Sequence, residues 1–493
     1  MKLGSGRICS VCGTVNNENA KFCFECGNKF EEQKVCQKCG RAYEEGMKFC
    51  PQCGTSLMNQ NVINENTMIG SELMADPIDL EDEELDEENI TAFGSSIKRS
   101  EINIITISDR MYEVPDDAWD VSSNKDRSVM AYIRNRDDLT ELVIAGRNGV
   151  RANKNCSCLF AGYQNIKQIN FSGKFDTSQV TDMSFMFLSE DYSELTKLDV
   201  SGFNTSRVTN MKYMFSGCEQ ITELDVSGFD TSQVTDMSYM FSYCDQLTEL
   251  DVRGFDTSQV TDMSGMFCGC SCLEKIYVNK FNTARVRNMD SMFENCNSLY
   301  DIGFTITNTS SVTSMARMFQ NCSDLQEIDL RNFDTSQVEY MCQMFDGCRN
   351  LAKIDVSHFD TSQVTHMDEM FKDCEEVEVI DVSKFDTSKV TNMSGMFSGC
   401  EKVKRLDVSG FDTSQVTDMS RMFECCKNVE ELDVEDFNWT NVWDVSYMFY
   451  KCKKISKLNL TRLPENNDIG SHKSLRCLCD GCDSLEEIQG MDD

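Results

Sequence analysis

Eight cysteines near the start of the chain have a spacing suited to metal binding. They form two sets of two Cys-x-x-Cys pairs, and in each set ten residues separate the pairs. Two thiolates from one Cys-x-x-Cys turn reach the same ion, and a second turn completes a tetrahedral shell of four sulfurs. The sets are Cys9, Cys12, Cys23 and Cys26, followed by Cys36, Cys39, Cys50 and Cys53. Because four sulfur ligands leave no open coordination position, we expect two structural zinc ions and no metal-bound catalytic water.

A glycine follows the second cysteine of every pair, as at Gly13 and Gly27, and suits the positive-φ turn that directs N–H groups at the sulfurs. These residues resemble a tandem (double) zinc ribbon, and the resemblance covers about residues 7–57. Iron in place of zinc stays open, because ligation by sulfur alone does not exclude it. A redox role for the Cys-x-x-Cys pairs is a minor alternative, since redox motifs of this kind come singly at the start of a helix.

A second group of cysteines recurs at a constant interval. Ten of them lie 26 residues apart, and a period held through ten copies indicates one structural unit stacked on itself as a solenoid. They are Cys218, Cys244, Cys270, Cys296, Cys322, Cys348, Cys374, Cys400, Cys426 and Cys452, here called the ladder cysteines. We expect buried, free thiols in the core, since the chain shows no secretion signal and free cysteine packs as a small hydrophobe. Cys477, Cys479 and Cys482 cluster at the end, where a third metal site is a minor alternative.

One coil of the repeat contains two periods. Leu250 and Val252 alternate with the outward Asp251, as in a short strand. Apolar residues then recur every three to four positions, which predicts a short helix. These residues are Val260, Met263, Met266, Phe267 and Cys270. Turn and N-cap residues lie between the two segments, so we predict a strand, a turn and a helix in each coil.

The pattern F-D-T-S-x-V-T-x-M-x-x-M-F-x-x-C resembles the BspA-type leucine-rich repeat surface proteins of bacteria. The resemblance covers about residues 100–490, including a segment at 119–133 similar to the family's N-terminal cap. It implies an α/β leucine-rich-repeat-like solenoid that interacts with other proteins, and members of the family are typically exported.

A row of aspartates marks the outward position of the predicted strands. These are Asp199, Asp225, Asp251, Asp329, Asp355, Asp381, Asp407 and Asp433. Like charges on neighbouring strands repel, so nearby Lys and Arg, hydration or a bound cation must offset them. We interpret the row as solvated charge on the strand face; a partner-binding surface and a calcium site are the alternatives.

Composition divides the chain into three parts, and the family resemblance separates a cap from the repeats. We predict a tandem zinc ribbon at 1–57, an acidic flexible linker at 58–100, a solenoid cap at 101–155 and the solenoid at 156–493. A net charge of −35 opposes binding of a phosphate backbone by most of the chain. The start has no signal-peptide core, and no segment is apolar for long enough to span a membrane, which favours the cytoplasm over the cell surface or secretion.

No nucleophile and base pair, phosphate loop or dinucleotide motif is present in the sequence, and the histidines are only three. We therefore expect a non-enzymatic, monomeric scaffold in which the ribbons anchor and the solenoid binds a protein partner. The alternatives are an adhesin-like surface protein exported without a recognisable signal, and a nucleic-acid-associated regulator that acts through the ribbons.

Overall fold

The computed structural model describes residues 7–8, 15–16, 71–75, 90–171, 174–189, 194–278, 280–303, 308–460 and 477–489. The chain divides into two units, Met1–Ile69 and Gly70–Asp493. In the first unit, β1 (Arg7–Ile8) pairs antiparallel with β2 (Val15–Asn16). Among the described residues no helix has the length and apolar character needed to cross a bilayer.

The second unit begins with a cap built mainly of β-strands. Its strands are β3 (Ser71–Glu72), β4 (Ile104–Ser108), β5 (Trp119–Asp120), β6 (Val129–Arg136), β7 (Leu139–Gly146), β8 (Val150–Arg151), β9 (Gln168–Asn170) and β10 (Phe175–Asp176). A five-stranded sheet has the order β5-β6-β7-β4-β9, and β10-β8-β3 form a second sheet. Two 3-10 helices, Arg99–Glu101 and Met111–Glu113, lie between the strands. In β9, Ile169 bridges in parallel to Leu198, so the cap sheet continues directly into the repeats.

The cap includes residues that the sequence placed in the linker. Leu73 and Ala92 are fully buried in the core. The buried Arg99 donates hydrogen bonds to the carbonyl oxygens of Cys158 and Ala161, at 2.8 and 2.6 Å. Residues 71–75 and 90–100 are therefore integral to the folded unit, which begins before the predicted boundary at residue 101.

The described coils of the solenoid bury side chains at largely the same repeat positions. In one coil Leu250, Val252, Phe255, Thr257 and Val260 point inward and Asp251 points outward, as the alternation predicts. Regular strands form at few places in the described coils, namely β11 (Lys275–Tyr277), β12 (Asp301–Gly303), β13 (Lys457–Asn459) and β14 (Glu487–Gln489). Elsewhere neighbouring coils join through isolated parallel bridges, as between Asp236 and Asp262.

The helix predicted in each coil is not formed in the described coils. The Met-x-x-Met-Phe-x-x-Cys segment makes two consecutive β-turns, in which Met266 N–H donates to Met263 O at 3.3 Å and Cys270 N–H donates to Phe267 O at 3.2 Å. Gly265 and Gly269, the third residues of these turns, have φ of +55° and +75°. Such a backbone is left-handed and breaks an α-helix.

Hydrogen bonds between coils explain why turns replace the helix. Gly265 N–H donates to Asp290 O at 2.7 Å and Phe267 N–H donates to Met292 O at 3.0 Å, both in the next coil. An α-helix would keep these N–H groups within its own segment. The three- and four-residue spacing fits one face of a helix and two linked turns equally well, so periodicity alone could not separate them.

Three ladders of identical contacts join the coils. Phenylalanine rings stack along the core, with ring centroids 5.6 Å apart for Phe319 and Phe345. The buried Thr257 hydroxyl donates to the carbonyl oxygen of Asn282 at 3.1 Å and accepts from its N–H at 2.7 Å. The ladder cysteines, which are free and buried as expected, form the third ladder: Cys244 Sγ, for example, donates to the carbonyl oxygen of Phe215 at 3.3 Å.

Candidate partner-binding face and zinc module

The first unit supplies one structural observation about the predicted zinc module. Strands β1 and β2 pair on either side of residues 9–14, with Ile8 opposite Val15. That segment holds Cys9 and Cys12, the first predicted Cys-x-x-Cys pair. All eight predicted zinc cysteines lie outside the described residues: Cys9, Cys12, Cys23, Cys26, Cys36, Cys39, Cys50 and Cys53. The zinc assignment therefore rests on the sequence, which supplies four cysteine sulfurs, from two Cys-x-x-Cys pairs, for each ion.

The predicted aspartate row lies on the surface, one carboxylate per coil. In most of these coils a serine two residues later donates twice to the carboxylate. Asp225 Oδ1, for example, accepts from the backbone N–H of Ser227 at 3.0 Å and from its hydroxyl at 2.6 Å. Hydrogen bonds from the Ser201 hydroxyl and N–H lower the pKa of Asp199 in the same way. These bonds within a coil therefore offset the repulsion along the row that like charges would produce.

Arginine replaces that serine in two coils of the row. Arg253 and Asp251 form an ion pair at 2.9 Å, and Arg331 and Asp329 form one at 2.6 Å. The hydrogen bond from Arg331 lowers the pKa of Asp329 to about 2. Within the described part of the chain, no group of three or more His, Cys, Asp or Glu side chains is arranged to hold a metal ion.

The row is interrupted between these two coils. Tyr277 and Gly303 occupy the positions at which the other coils carry aspartate. The Tyr277 ring lies over Gly303, where a Cβ atom would come within 2.5 Å of the ring carbon Cδ1. Strands β11 and β12 pair here in parallel, with Tyr277 opposite Gly303. The aspartate row thus has no carboxylate at these two positions, although the Tyr277 hydroxyl donates to Asp301, in the same strand as Gly303, at 3.4 Å.

Aromatic and cationic side chains surround the interruption. Lys275 Nζ lies 5.3 Å from the centroid of the Tyr300 ring, and Arg253 Cζ lies 6.0 Å from that of Tyr277. The Tyr300 side chain is 44% exposed. We call this surface the tyrosine window and define it by Arg253, Lys275, Tyr277, Tyr300, Gly303 and Arg331.

Sequence reasoning identified the row but missed the window. The signal was present, because counting in steps of 26 from Asp251 arrives at Tyr277 and Gly303 before the row resumes at Asp329. The clustering of Lys275 with Tyr300 required the structure, since those residues belong to neighbouring coils and different repeat positions.

The described histidines have structural roles. His358 Nε2 lies 3.0 Å from the carbonyl oxygen of Leu330. The His366 ring stacks on Tyr340 with centroids 5.4 Å apart, and its Nδ1 lies 2.9 Å from the Thr365 hydroxyl. Thr365 is the residue before His366 in the chain, so this contact is local, and His472 lies outside the described residues.

Comparisons with known proteins give matches for both the N-terminal cysteines and the repeats. A double zinc ribbon matches residues 9–54. A leucine-rich cell surface protein from Faecalibacterium prausnitzii A2-165 is similar at 16% identity, with 77% of this chain and 95% of that chain covered and a TM-score of 0.35. A leucine-rich repeat protein from Bacteroides ovatus ATCC 8483 is also similar at 16% identity, with 79% and 84% covered and a TM-score of 0.32.

No curated protein matches the chain. The repeats, in contrast, match one family through four overlapping segments, 154–270, 244–327, 300–379 and 369–466. Together these segments span well over half of the sequence. This protein therefore belongs to the family described as "Mycoplasma protein of unknown function, DUF285".

Proposed function

We propose that this protein is a non-enzymatic scaffold that binds a protein partner through the strand face of its solenoid, with the tyrosine window as the main contact. The observation that supports this most is the exposed Tyr300 ring beside Lys275, in the gap of the aspartate row. Tyrosine and arginine are enriched among the residues that dominate binding energy at interfaces, whereas aspartate is depleted in interface cores. The window is the part of this face that has that composition.

The aspartate row has a different role in this proposal. The row forms a hydrated acidic rim on either side of the window. Its members are Asp199, Asp225, Asp251, Asp329, Asp355, Asp381, Asp407 and Asp433. Exposed charges contribute little affinity but increase the association rate of an oppositely charged partner and exclude acidic ones. A partner with a neutral, aromatic-accepting centre flanked by basic residues fits this surface.

We propose that the zinc ribbons anchor this protein to another molecule or recruit another molecule to it. We assign one structural zinc ion to Cys9, Cys12, Cys23 and Cys26, and a second to Cys36, Cys39, Cys50 and Cys53. The support is the spacing, the double zinc ribbon match at 9–54 and the strand pair around the first cysteines. When bound, such ions supply folding free energy.

We also propose a cytoplasmic location, because the ladder cysteines are free thiols and reducing compartments preserve them. Cell fractionation tests this. Recovery of the protein at the cell surface would instead favour the adhesin-like alternative.

Site-specific photocrosslinking in cells tests the binding face. A benzophenone-bearing phenylalanine analogue replaces Tyr300, and matched variants carry it at Tyr243 and Tyr112, which are also exposed, at 50% and 82%. Tyr243 lies in the turn segment of its coil, outside the strand segment, and Tyr112 lies in the cap, outside the repeats. We expect a discrete protein adduct from position 300 alone. Absence of an adduct there, or the same adduct from all three positions, would refute the proposal.

A further inference from the structure

The last described coil departs from the repeat at its core. In the preceding coil, Phe449 N–H donates to Leu478 O at 2.9 Å, which aligns Leu478 with the methionine and Cys479 with the phenylalanine of the repeat. Cys482 then occupies the ladder position. Cysteine therefore replaces the phenylalanine that stacks in the coils before it, and one turn carries two thiols.

The turn holds these thiols close together. Cys482 N–H donates to Cys479 O at 3.1 Å, which closes a β-turn between them. A β-turn keeps the Cα atoms of its first and last residues within about 7 Å, and a disulfide needs about 4.4–6.8 Å. The two thiols hydrogen-bond to each other, and Cys482 Sγ donates onward to the carbonyl oxygen of Phe449 at 3.0 Å.

Exposure distinguishes this pair from the ladder cysteines. Cys218 and the ladder cysteines after it are at most 1% exposed, whereas Cys479 and Cys482 are both half-buried. The hydrogen bond from Cys479 also lowers the pKa of Cys482, while burial raises the pKa of the ladder thiols. An accessible thiol with thiolate character is the kind that attacks disulfides.

We propose that Cys479 and Cys482 form a redox-active dithiol that reacts with low-molecular-weight disulfides and closes to an intrachain disulfide. The Cys482 thiolate attacks one sulfur of the small disulfide, whose S–S bond breaks and releases one thiolate. Cys479 then attacks the Cys482 sulfur of the mixed disulfide and displaces the second thiolate. The two protein thiols lose two electrons and two protons, and the small disulfide becomes two thiols.

Mass spectrometry of the full-length, zinc-loaded protein tests this. The reduced protein is incubated with graded ratios of oxidised to reduced glutathione, quenched in acid, alkylated and digested with trypsin. No Lys or Arg lies between residues 477 and 493, so trypsin leaves Cys477, Cys479 and Cys482 on one peptide that begins at Cys477. A Cys477→Ser background leaves only the proposed pair in that peptide. We expect this peptide to lose two hydrogens when the disulfide forms. The ratio of oxidised to reduced glutathione needed for this should be at least about tenfold lower than the ratio that modifies the peptides of the ladder cysteines.

Two variants make the outcome specific. Cys479→Phe restores the phenylalanine of the other coils, so it should keep the wild-type melting temperature and trap glutathione on Cys482. Cys482→Ser should trap less glutathione on Cys479, because burial and the charge of Asp480, which the substitution leaves in place, still raise the pKa of Cys479. A dithiol that stays reduced until the ladder thiols oxidise would overturn the proposal, as would equal trapping in the two variants.

Discussion

The ring of Tyr277 covers Gly303, and a Cβ atom on Gly303 would lie 2.5 Å from the ring carbon Cδ1. Gly303→Ala should therefore push the ring aside and lower stability by about 1 kcal/mol, at the lower end of overpacking costs. The urea midpoint measures this change. Gly410→Ala is the matched control, because a Cβ there meets only Ser383 O, at 3.8 Å. Equal midpoints for the two variants would show that Tyr277 is not held over Gly303.

The threonine ladder gives a prediction about coil stacking. Thr257→Val keeps the shape of the side chain but removes the hydroxyl that bonds both the N–H and the carbonyl oxygen of Asn282. The buried N–H then lacks its acceptor, which should cost about 1–3 kcal/mol. Thr257→Ser, which retains the hydroxyl, should recover most of the loss in the same urea titration. If the Thr257→Val protein is as stable as the wild type, these hydrogen bonds make no net contribution to stability.

The ladder cysteines should resist alkylation in the folded protein. Cys244 Sγ donates to the carbonyl oxygen of Phe215 at 3.3 Å, and burial raises the pKa of Cys218 to about 12. The reactive thiolate is therefore scarce at pH 8.5, and unfolding should restore ordinary reactivity. Peptide mapping after iodoacetamide treatment, with and without guanidinium, measures both states. Rapid alkylation of Cys244 in the native protein would contradict its placement in the core.

Zinc content tests the N-terminal module. The purified protein should contain two zinc ions per chain, and Cys12→Ser should reduce that number to one, because only its own set loses a ligand. Elemental analysis by mass spectrometry gives the count. Cys272→Ser, outside both sets, should retain two ions. A wild-type protein without zinc, or a Cys12→Ser variant with both ions, would exclude the assignment.

Sequence reasoning predicted the coil register well because it depends on local alternation. Asp251 points outward, as the strand alternation predicted, and Cys244 points inward, as expected for a buried thiol. It failed on the helix because Met263, Met266 and Cys270 have the same spacing on a helix and on two linked turns, and only hydrogen bonds to the next coil decide between them. It placed Arg99 in a linker because the carbonyl groups that bind Arg99 lie about sixty residues further along the chain. Contacts between distant segments leave no periodic signal.

The central claim is that the partner contacts the tyrosine window. Once photocrosslinking has identified the partner, its dissociation constant is measured for Tyr300→Ala and for Tyr243→Ala, two substitutions of similarly exposed tyrosines on different faces. Loss of a central interface aromatic typically costs about 2 kcal/mol or more, so Tyr300→Ala should weaken binding at least about thirtyfold while Tyr243→Ala leaves it unchanged. Unchanged binding by Tyr300→Ala, or equal losses in both variants, would contradict a binding site at the window.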